Sequence, residues 1–261
     1  MPVDNLPAVR LHHAPSSYYS MIARLALTET GVGLELVPLD IHRRMEQFAP
    51  AYAALNPGLT VPTLVLADRV LADSRDILDW AFDARLPSAA TADAVTRHYS
   101  FPVEDLTFSW LLGWNPMARR MVPQKLASAQ ARLLALVSAN PGLADVYRRR
   151  AEVFAARSRT FEPAAVPALF ERRWREAQAH LDWLDHILSD GRPFIASDDY
   201  GPADVVWTVF LARIRFIRRG AAIEQRPSLC RYEAAMRARP SFEKADVWAS
   251  IHWLRMLRQI V

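Results

Sequence analysis

Nine residues, Asn56-Pro57-Gly58-Leu59-Thr60-Val61-Pro62-Thr63-Leu64, hold the densest chemical information in the chain. Asn-Pro-Gly ends whatever precedes it, because proline restricts its neighbour and glycine tolerates dihedrals other residues avoid. The apolar run Thr63 to Leu66 reads as a short strand, so Pro62 stands at its mouth with no N–H for the ladder. The backbone of Val61 is left free to pair with an extended peptide, as in strand addition. Asp68-Arg69-Val70-Leu71 reads as a second short strand. Asp73 or Ser74 then caps a helix through Trp80, leaving backbone amides that face any nearby anion.

Other elements must position these groups. Val9-Arg10-Leu11-His12 reads as a strand, ended by Ala14-Pro15-Ser16-Ser17. Tyr19 to Thr30 reads as a helix, stopped by Gly31 or Gly33, and Leu34 to Leu39 as a strand. A partly helical segment, Ile41 to Leu55, leads to the Val-Pro turn. This order of strand, helix, strand, irregular helix, strand, strand, helix predicts a thioredoxin-like unit over residues 1–83. Residues 84–92 read as a small-residue linker with Pro87, and 93–261 as an all-helical domain. Within it, Phe170, Trp174, Ala177, Leu181, Leu184 and Leu188 recur at helical spacing between Pro167 and Leu188. Val205 to Ile217 is apolar enough to be a buried spine. Further helices are expected over 228–238 and 241–258, while Pro116, Pro123, Pro141 and Pro163 predict short helices between 113 and 165.

The chain of 261 residues has 51% hydrophobic and 23% charged residues, as an ordinary globular protein does. Lys125 and Lys244 are its only lysines, and arginine runs such as Arg148-Arg149-Arg150 alternate with glutamates. That pattern describes a solvated helix face with ion pairs, and argues against nucleic acid as a partner. The single cysteine, Cys230, excludes an intrachain disulfide, a multi-cysteine metal site and a Cys-x-x-Cys motif. With no basic-then-apolar leader and no long charge-free apolar run, a cytoplasmic location without membrane association is expected.

The Asn-Pro…Val-Pro-x-Leu run followed by Asp73-Ser74 resembles the glutathione-binding half of the cytosolic glutathione S-transferases, where a Glu/Asp-Ser pair follows. The layout of two units resembles that superfamily over nearly the whole chain. The resemblance implies glutathione as cosubstrate, a small hydrophobic electrophile, detoxification-type transferase chemistry and a homodimer. Val61, beside a cis Pro62, would offer its backbone to the cysteinyl part of glutathione. Ser74 and the amides after it would take the γ-glutamyl carboxylate, and Asp73 the ammonium. Aligning Arg24-Leu25-Ala26-Leu27 with the family's Val-Arg-x-Ala-Leu places Ser17 where a serine-type active site activates the thiol, with Ser16, Tyr18 and Tyr19 as neighbouring alternatives.

Lowering a thiol pKa by about two units needs roughly 3 kcal/mol of preference for the thiolate. One hydroxyl donor and the positive end of a helix can supply that together. His42, Arg43, Arg44 and Gln47 are all candidates for the glycyl carboxylate. Phe101, Phe108, Trp110, Trp114 and Met117 are candidates for an apolar electrophile pocket. His12 and His13 read as core or rim histidines, with no metal-ligand spacing to a Cys, Asp or Glu. Gly201-Pro202-Ala203-Asp204 stands where the family has Ser/Thr-x-Ala-Asp, a helix start with one side-chain bond fewer. Two rival readings accompany the transferase: a glutathione-dependent specialist (isomerase, dehalogenase or ether-cleaving enzyme) and a non-catalytic binding module on the same fold.

Overall fold

The computed structural model describes residues 9–83 and 88–250. The N-terminal unit contains β1 (Val9–His13), α1 (Tyr18–Glu29), β2 (Leu34–Pro38), a 3-10 turn (Glu46–Phe48), α2 (Pro50–Leu55), β3 (Thr63–Val65), β4 (Val70–Leu71) and α3 (Ser74–Ala81). Its sheet has the order β2-β1-β3-β4, with β1 parallel to β2 and antiparallel to β3. This is a thioredoxin-like sheet. Leu11, Ala23, Leu27, Leu64 and Ile77 bury one side of it beneath α1 and α3.

The helical domain follows: α4 (Ala89–Tyr99), α5 (Val103–Trp114), α6 (Pro116–Ala139), α7 (Ala144–Thr160), α8 (Val166–Ile187), α9 (Pro202–Phe216), α10 (Ala221–Glu224), α11 (Pro227–Arg237) and α12 (Pro240–Lys244). α4 begins inside the stretch read as a linker, with Ser88 as its N-cap. Spine helix α9 is buried along almost its whole length. Val205, Trp207 and Phe210 of α9 share one continuous apolar core with Met21, Ile22 and Leu25 of α1. The two units are therefore joined by burial rather than by a wet interface.

The predicted break-up between 113 and 165 holds at Pro116, Pro141 and Pro163, which stand at helix junctions, and is corrected at Pro123 and in the length of the helices. Pro116 occupies the first turn of α6, where no N–H is needed, and the 24-residue helix runs on through Pro123. Proline at an interior position costs about 3 kcal/mol. The face carrying Ala129 and Leu133 offsets it by packing against Met45, Phe48 and Leu59 of the first unit and Tyr147 and Ala151 of α7. The helix expected over 241–258 ends at Lys244, because Asp246 turns left-handed at φ +50°. Residues 251–258 of that expectation lie outside the described residues.

Candidate active site

Asn56 organises the turn before β3. Its Oδ1 accepts from Gly58 N at 2.8 Å, and its Nδ2 lies 2.9 Å from Thr63 Oγ1 and 3.2 Å from the Ala72 carbonyl. A Cβ on residue 58 would come within 2.9 Å of Asn56 Oδ1, which is why glycine stands there. Asn56 thus clasps the Val61-Pro62 turn to the loop that delivers Asp73 and Ser74, a role its turn-forming reputation does not suggest. The Val61-Pro62 bond is cis. Among the described residues neither the N–H nor the C=O of Val61 has a backbone partner. Val61 packs with Ala14 of the β1–α1 loop and Tyr52 of α2, so the unpaired backbone lies against the loop leading to α1.

At the start of α3, Asp73 is the N-cap, its Oδ1 taking the Arg75 amide at 2.7 Å. Asp73 is exposed, whereas Ser74 is buried with its Oγ 3.0 Å from the Tyr99 hydroxyl of α4. Burial and the charge of Asp73 push the Tyr99 phenol well above its ordinary value, although its bond to Ser74 opposes this. At neutral pH Tyr99 is a neutral donor or acceptor for Ser74. The Ser74 and Asp76 amides have no backbone partner among the described residues and stand at the positive end of α3.

Ser17 is the N-cap of α1, with extended backbone and Oγ 3.3 Å from Ser20 N. It accepts that bond, so its own hydroxyl proton is free to donate elsewhere. Ser16 differs, because its Oγ is 3.0 Å from His42 Nε2. Burial and the Lys125 ammonium lower the His42 pKa, with Asp40 opposing. Tyr18 is turned into the interdomain core, its hydroxyl 2.7 Å from His98 Nε2. Burial raises its pKa far above the ordinary phenol value, so the hydroxyl stays neutral in its bond to His98. Tyr19 stacks on Tyr99, and burial together with the Glu104 charge pushes its phenol up to about 12.

The glycyl-carboxylate candidates separate. His42 is held by Ser16, Gln47 is buried with Nε2 on the Ile41 carbonyl, and Arg44 lies 3.6 Å from Glu46. Arg43 is exposed, with no side-chain partner among the described residues. The five candidates for an apolar pocket fall in different packing environments. Phe101 is in the core against Phe210, Phe108 packs on Phe161, Trp110 on Trp114, and Met117 is 69% exposed. A cavity of about 90 Å³ lies between Leu112, Pro123, Phe161 and Val166, beside Phe108. His12 is a rim residue edge-on to Tyr52, and buried His13 faces Arg24 Nη1 at 3.0 Å through its Nδ1. Burial, then the Arg24 charge, drops the His13 pKa to about 4. Among the described residues no three His, Cys, Asp or Glu side chains gather as a metal site.

Residues 11–88 match the family described as Glutathione S-transferase, N-terminal domain, and residues 167–235 match Glutathione S-transferase, C-terminal domain. A tetrachloro-p-hydroquinone reductive dehalogenase of Sphingobium chlorophenolicum is 33% identical over 246 residues, covering 93% of this chain and 97% of that one. The chain belongs to the glutathione S-transferase superfamily. Within the superfamily it is also similar to glutathione S-transferase TCHQD of Arabidopsis thaliana, at 24% identity over 90% of this chain and 88% of that protein. Among solved structures, the beta-etherase LigF of Sphingobium sp. strain SYK-6 shares the fold with a TM-score of 0.64 at 19% identity, covering 91% of this chain and 98% of that one.

One residue of this transferase's site neighbourhood was invisible as such in the sequence. Arg24 entered only as an alignment anchor, yet its buried guanidinium donates to the carbonyls of Pro15 at 3.2 Å, Ala245 at 2.7 Å and Asp246 at 3.0 Å. It ties the loop bearing Ser16 and Ser17 to the far end of the helical domain. Burial lowers its pKa to about 10, which leaves it charged at neutral pH. Tyr99 was equally silent, because nothing local marks a tyrosine that will meet Ser74 across the domain junction.

Proposed function

We propose that this chain is a serine-type glutathione transferase that joins glutathione sulfur to a halogenated aromatic electrophile. Glutathione is the cosubstrate of the family to which the chain belongs. The observation that carries the reading is Ser17: its lone pair is occupied by Ser20 N and its proton is free, at the positive end of the 12-residue helix α1. Val61 would pair with the cysteinyl backbone, and Pro62 would hold that turn. Ser74 with the Ser74 and Asp76 amides would bind the γ-glutamyl carboxylate, and exposed Asp73 the ammonium. Arg43 is the most available cation for the glycyl carboxylate. The halogenated substrate class is drawn from the dehalogenase relative.

In the reaction the thiol proton leaves to solvent, a carbon–sulfur bond forms, and the halide departs with the bonding pair of the carbon–halogen bond. The enzyme forms no disulfide with its substrate in this scheme, because serines stand before α1 and the single cysteine, Cys230, lies on α11. Catalysis comes from positioning and thiolate stabilisation. A cytoplasmic homodimer, each chain divided into its two units within the stretch 84–92, completes the proposal, and light scattering returning the mass of one chain would refute the dimer. Among the described residues no helix is long and apolar enough to cross a membrane.

The test is calorimetric glutathione binding with ultraviolet titration of the bound thiol, in wild type and Ser17→Ala. A depressed thiol pKa that is lost in the variant while binding remains supports the assignment. A depressed pKa that persists moves the role to Ser16 or Tyr19, and absence of glutathione binding leaves a non-catalytic module.

A further inference from the structure

Residues 116–160 form a helical hairpin, α6 and α7, that folds back onto the first unit. It lands on the loop of residues 40–48, which carries the candidates for the glycyl carboxylate. That loop also touches the serine turn, since His42 Nε2 lies 3.0 Å from Ser16 Oγ. Within the loop the Asp40 carboxylate accepts the His42 and Arg43 amides at 3.0 and 2.8 Å, and the Asp40 N–H donates to Glu46 Oε2 at 2.8 Å. Those bonds close the turn on itself and leave the Arg43 side chain exposed.

The hairpin fixes where that closed turn stands. Arg132 Nη1 of α6 donates to the Arg44 carbonyl at 2.6 Å, and the Tyr147 hydroxyl of α7 donates to the Phe48 carbonyl at 3.0 Å. The two acceptors stand before and at the end of the 3-10 turn Glu46–Phe48, so side chains of the helical domain grip both its ends. Between Arg43 and that turn, Met45 is left-handed at φ +51°, a conformation that costs free energy wherever a Cβ is present. Met45 and Phe48 share a buried core with Ala129, Leu133, Tyr147 and Ala151 of the hairpin, and Phe154 meets Phe48 edge-on at 5.7 Å. Burial under the hairpin offsets the strain at Met45 and holds the loop in one shape.

We infer that Tyr147, with Arg132, is a positioning residue for the glycyl end of glutathione, and that the α6–α7 hairpin thereby sets selectivity for the tripeptide over γ-glutamylcysteine. This rests on the proposed transferase reading and deepens it. Neither side chain acts by touching the peptide. Each holds a backbone carbonyl of the loop whose exposed Arg43 would meet the carboxylate, and a loop ordered beforehand pays less entropy when the peptide binds. γ-Glutamylcysteine lacks the glycine, so it gains nothing from the loop. It reports on Ser17, Val61 and Ser74 alone.

Calorimetry measures the binding of glutathione and of γ-glutamylcysteine to full-length wild type, Tyr147→Phe and Arg132→Ala. Wild type is expected to prefer glutathione. Tyr147→Phe should raise the glutathione dissociation constant about fivefold, the loss of one hydrogen bond, and move the γ-glutamylcysteine constant less than about twofold. Arg132 is exposed, so Arg132→Ala keeps the fold independently of Tyr147 and should weaken the same preference. In both variants kcat at saturating glutathione and the pKa of the bound thiol stay at wild-type values, which a general loosening of the site would not allow. Equal weakening of both peptides, or an unchanged preference in either folded variant, overturns the inference while the transferase reading stands. So does a wild type that binds the dipeptide as tightly as glutathione. A wild type that binds neither peptide defeats the transferase reading, and the inference with it.

Discussion

At the scale of single residues, the two hydroxyls Ser16 and Tyr18 are already committed to histidines, while Ser17 keeps its proton at the start of α1. Under the proposed function Ser17→Ala lowers kcat with glutathione by on the order of a hundredfold, the usual loss of one preorganised donor to a developing anion. Steady-state kinetics at saturating glutathione would read it, and an undiminished kcat would remove Ser17 from the chemistry. Ser74 poses a different question, because its Oγ is shared with Tyr99 across the junction of the two units. Tyr99→Phe deletes one hydrogen bond worth about 1 kcal/mol. It is expected to raise the KM for glutathione about fivefold with little change in kcat, which separates anchoring from thiol activation.

At the scale of elements, helix α9 shows how a weak local signal is reinforced by its surroundings. Gly201 supplies no side-chain cap, but Asp204 takes the Gly201 and Ile195 amides at 2.9 and 3.0 Å and the Tyr232 hydroxyl at 2.8 Å. Burial nevertheless wins, and raises the Asp204 pKa to about 6 against those three bonds. A carboxyl whose pKa is raised on folding binds its proton more tightly in the native state, so its contribution falls as pH rises from about 4 to about 6. Relative to Asp204→Asn, wild type should lose up to about 3 kcal/mol across that window, at about 1.4 kcal/mol per pKa unit. Urea unfolding of both proteins at pH 4 and pH 7 checks the sign. A difference independent of pH would mean that the three donors balance burial.

At the scale of the whole molecule, the units are held by one core and by the hairpin. His98 of α4 is in that junction, stacked on Tyr18 with ring centroids 5.8 Å apart, and burial drops its pKa to about 3. A histidine kept neutral in the folded state adds stability fully present above pH 6.5 and lost as pH falls toward its folded pKa. Unfolding midpoints should therefore drop between pH 6.5 and pH 4, and less steeply in His98→Gln. Equal slopes would shift the acid sensitivity to His13 and His180, whose pKa values are also near 4. The hairpin is tested through Leu133, fully buried against the first unit. Leu133→Ala should cost about 2–5 kcal/mol. Amide exchange should then quicken together in residues 45–59 and 116–160, whereas quickening confined to α6 would show that the two segments do not open as one.

Local chemistry made much of this protein legible in its sequence. Alternation and turn residues placed all four strands, helical spacing placed α8, and uniform apolarity marked α9 as the buried spine, because each of these depends on neighbours a few positions away. The Asn-Pro…Val-Pro run and the Asp73-Ser74 cap were legible for the same reason, since cap and turn geometry belong to short peptides. What needed the folded chain were the meetings between distant segments: Ser74 with Tyr99, Ser16 with His42, Arg24 with Ala245, and Arg157 with Glu104. Prolines 116, 123, 141 and 163 suggested fragments, but long-range burial of Ala129 and Leu133 sustained a 24-residue helix through one of them. Propensity acts within a turn or two, while burial acts wherever the chain returns to itself, and here it returned across the candidate site.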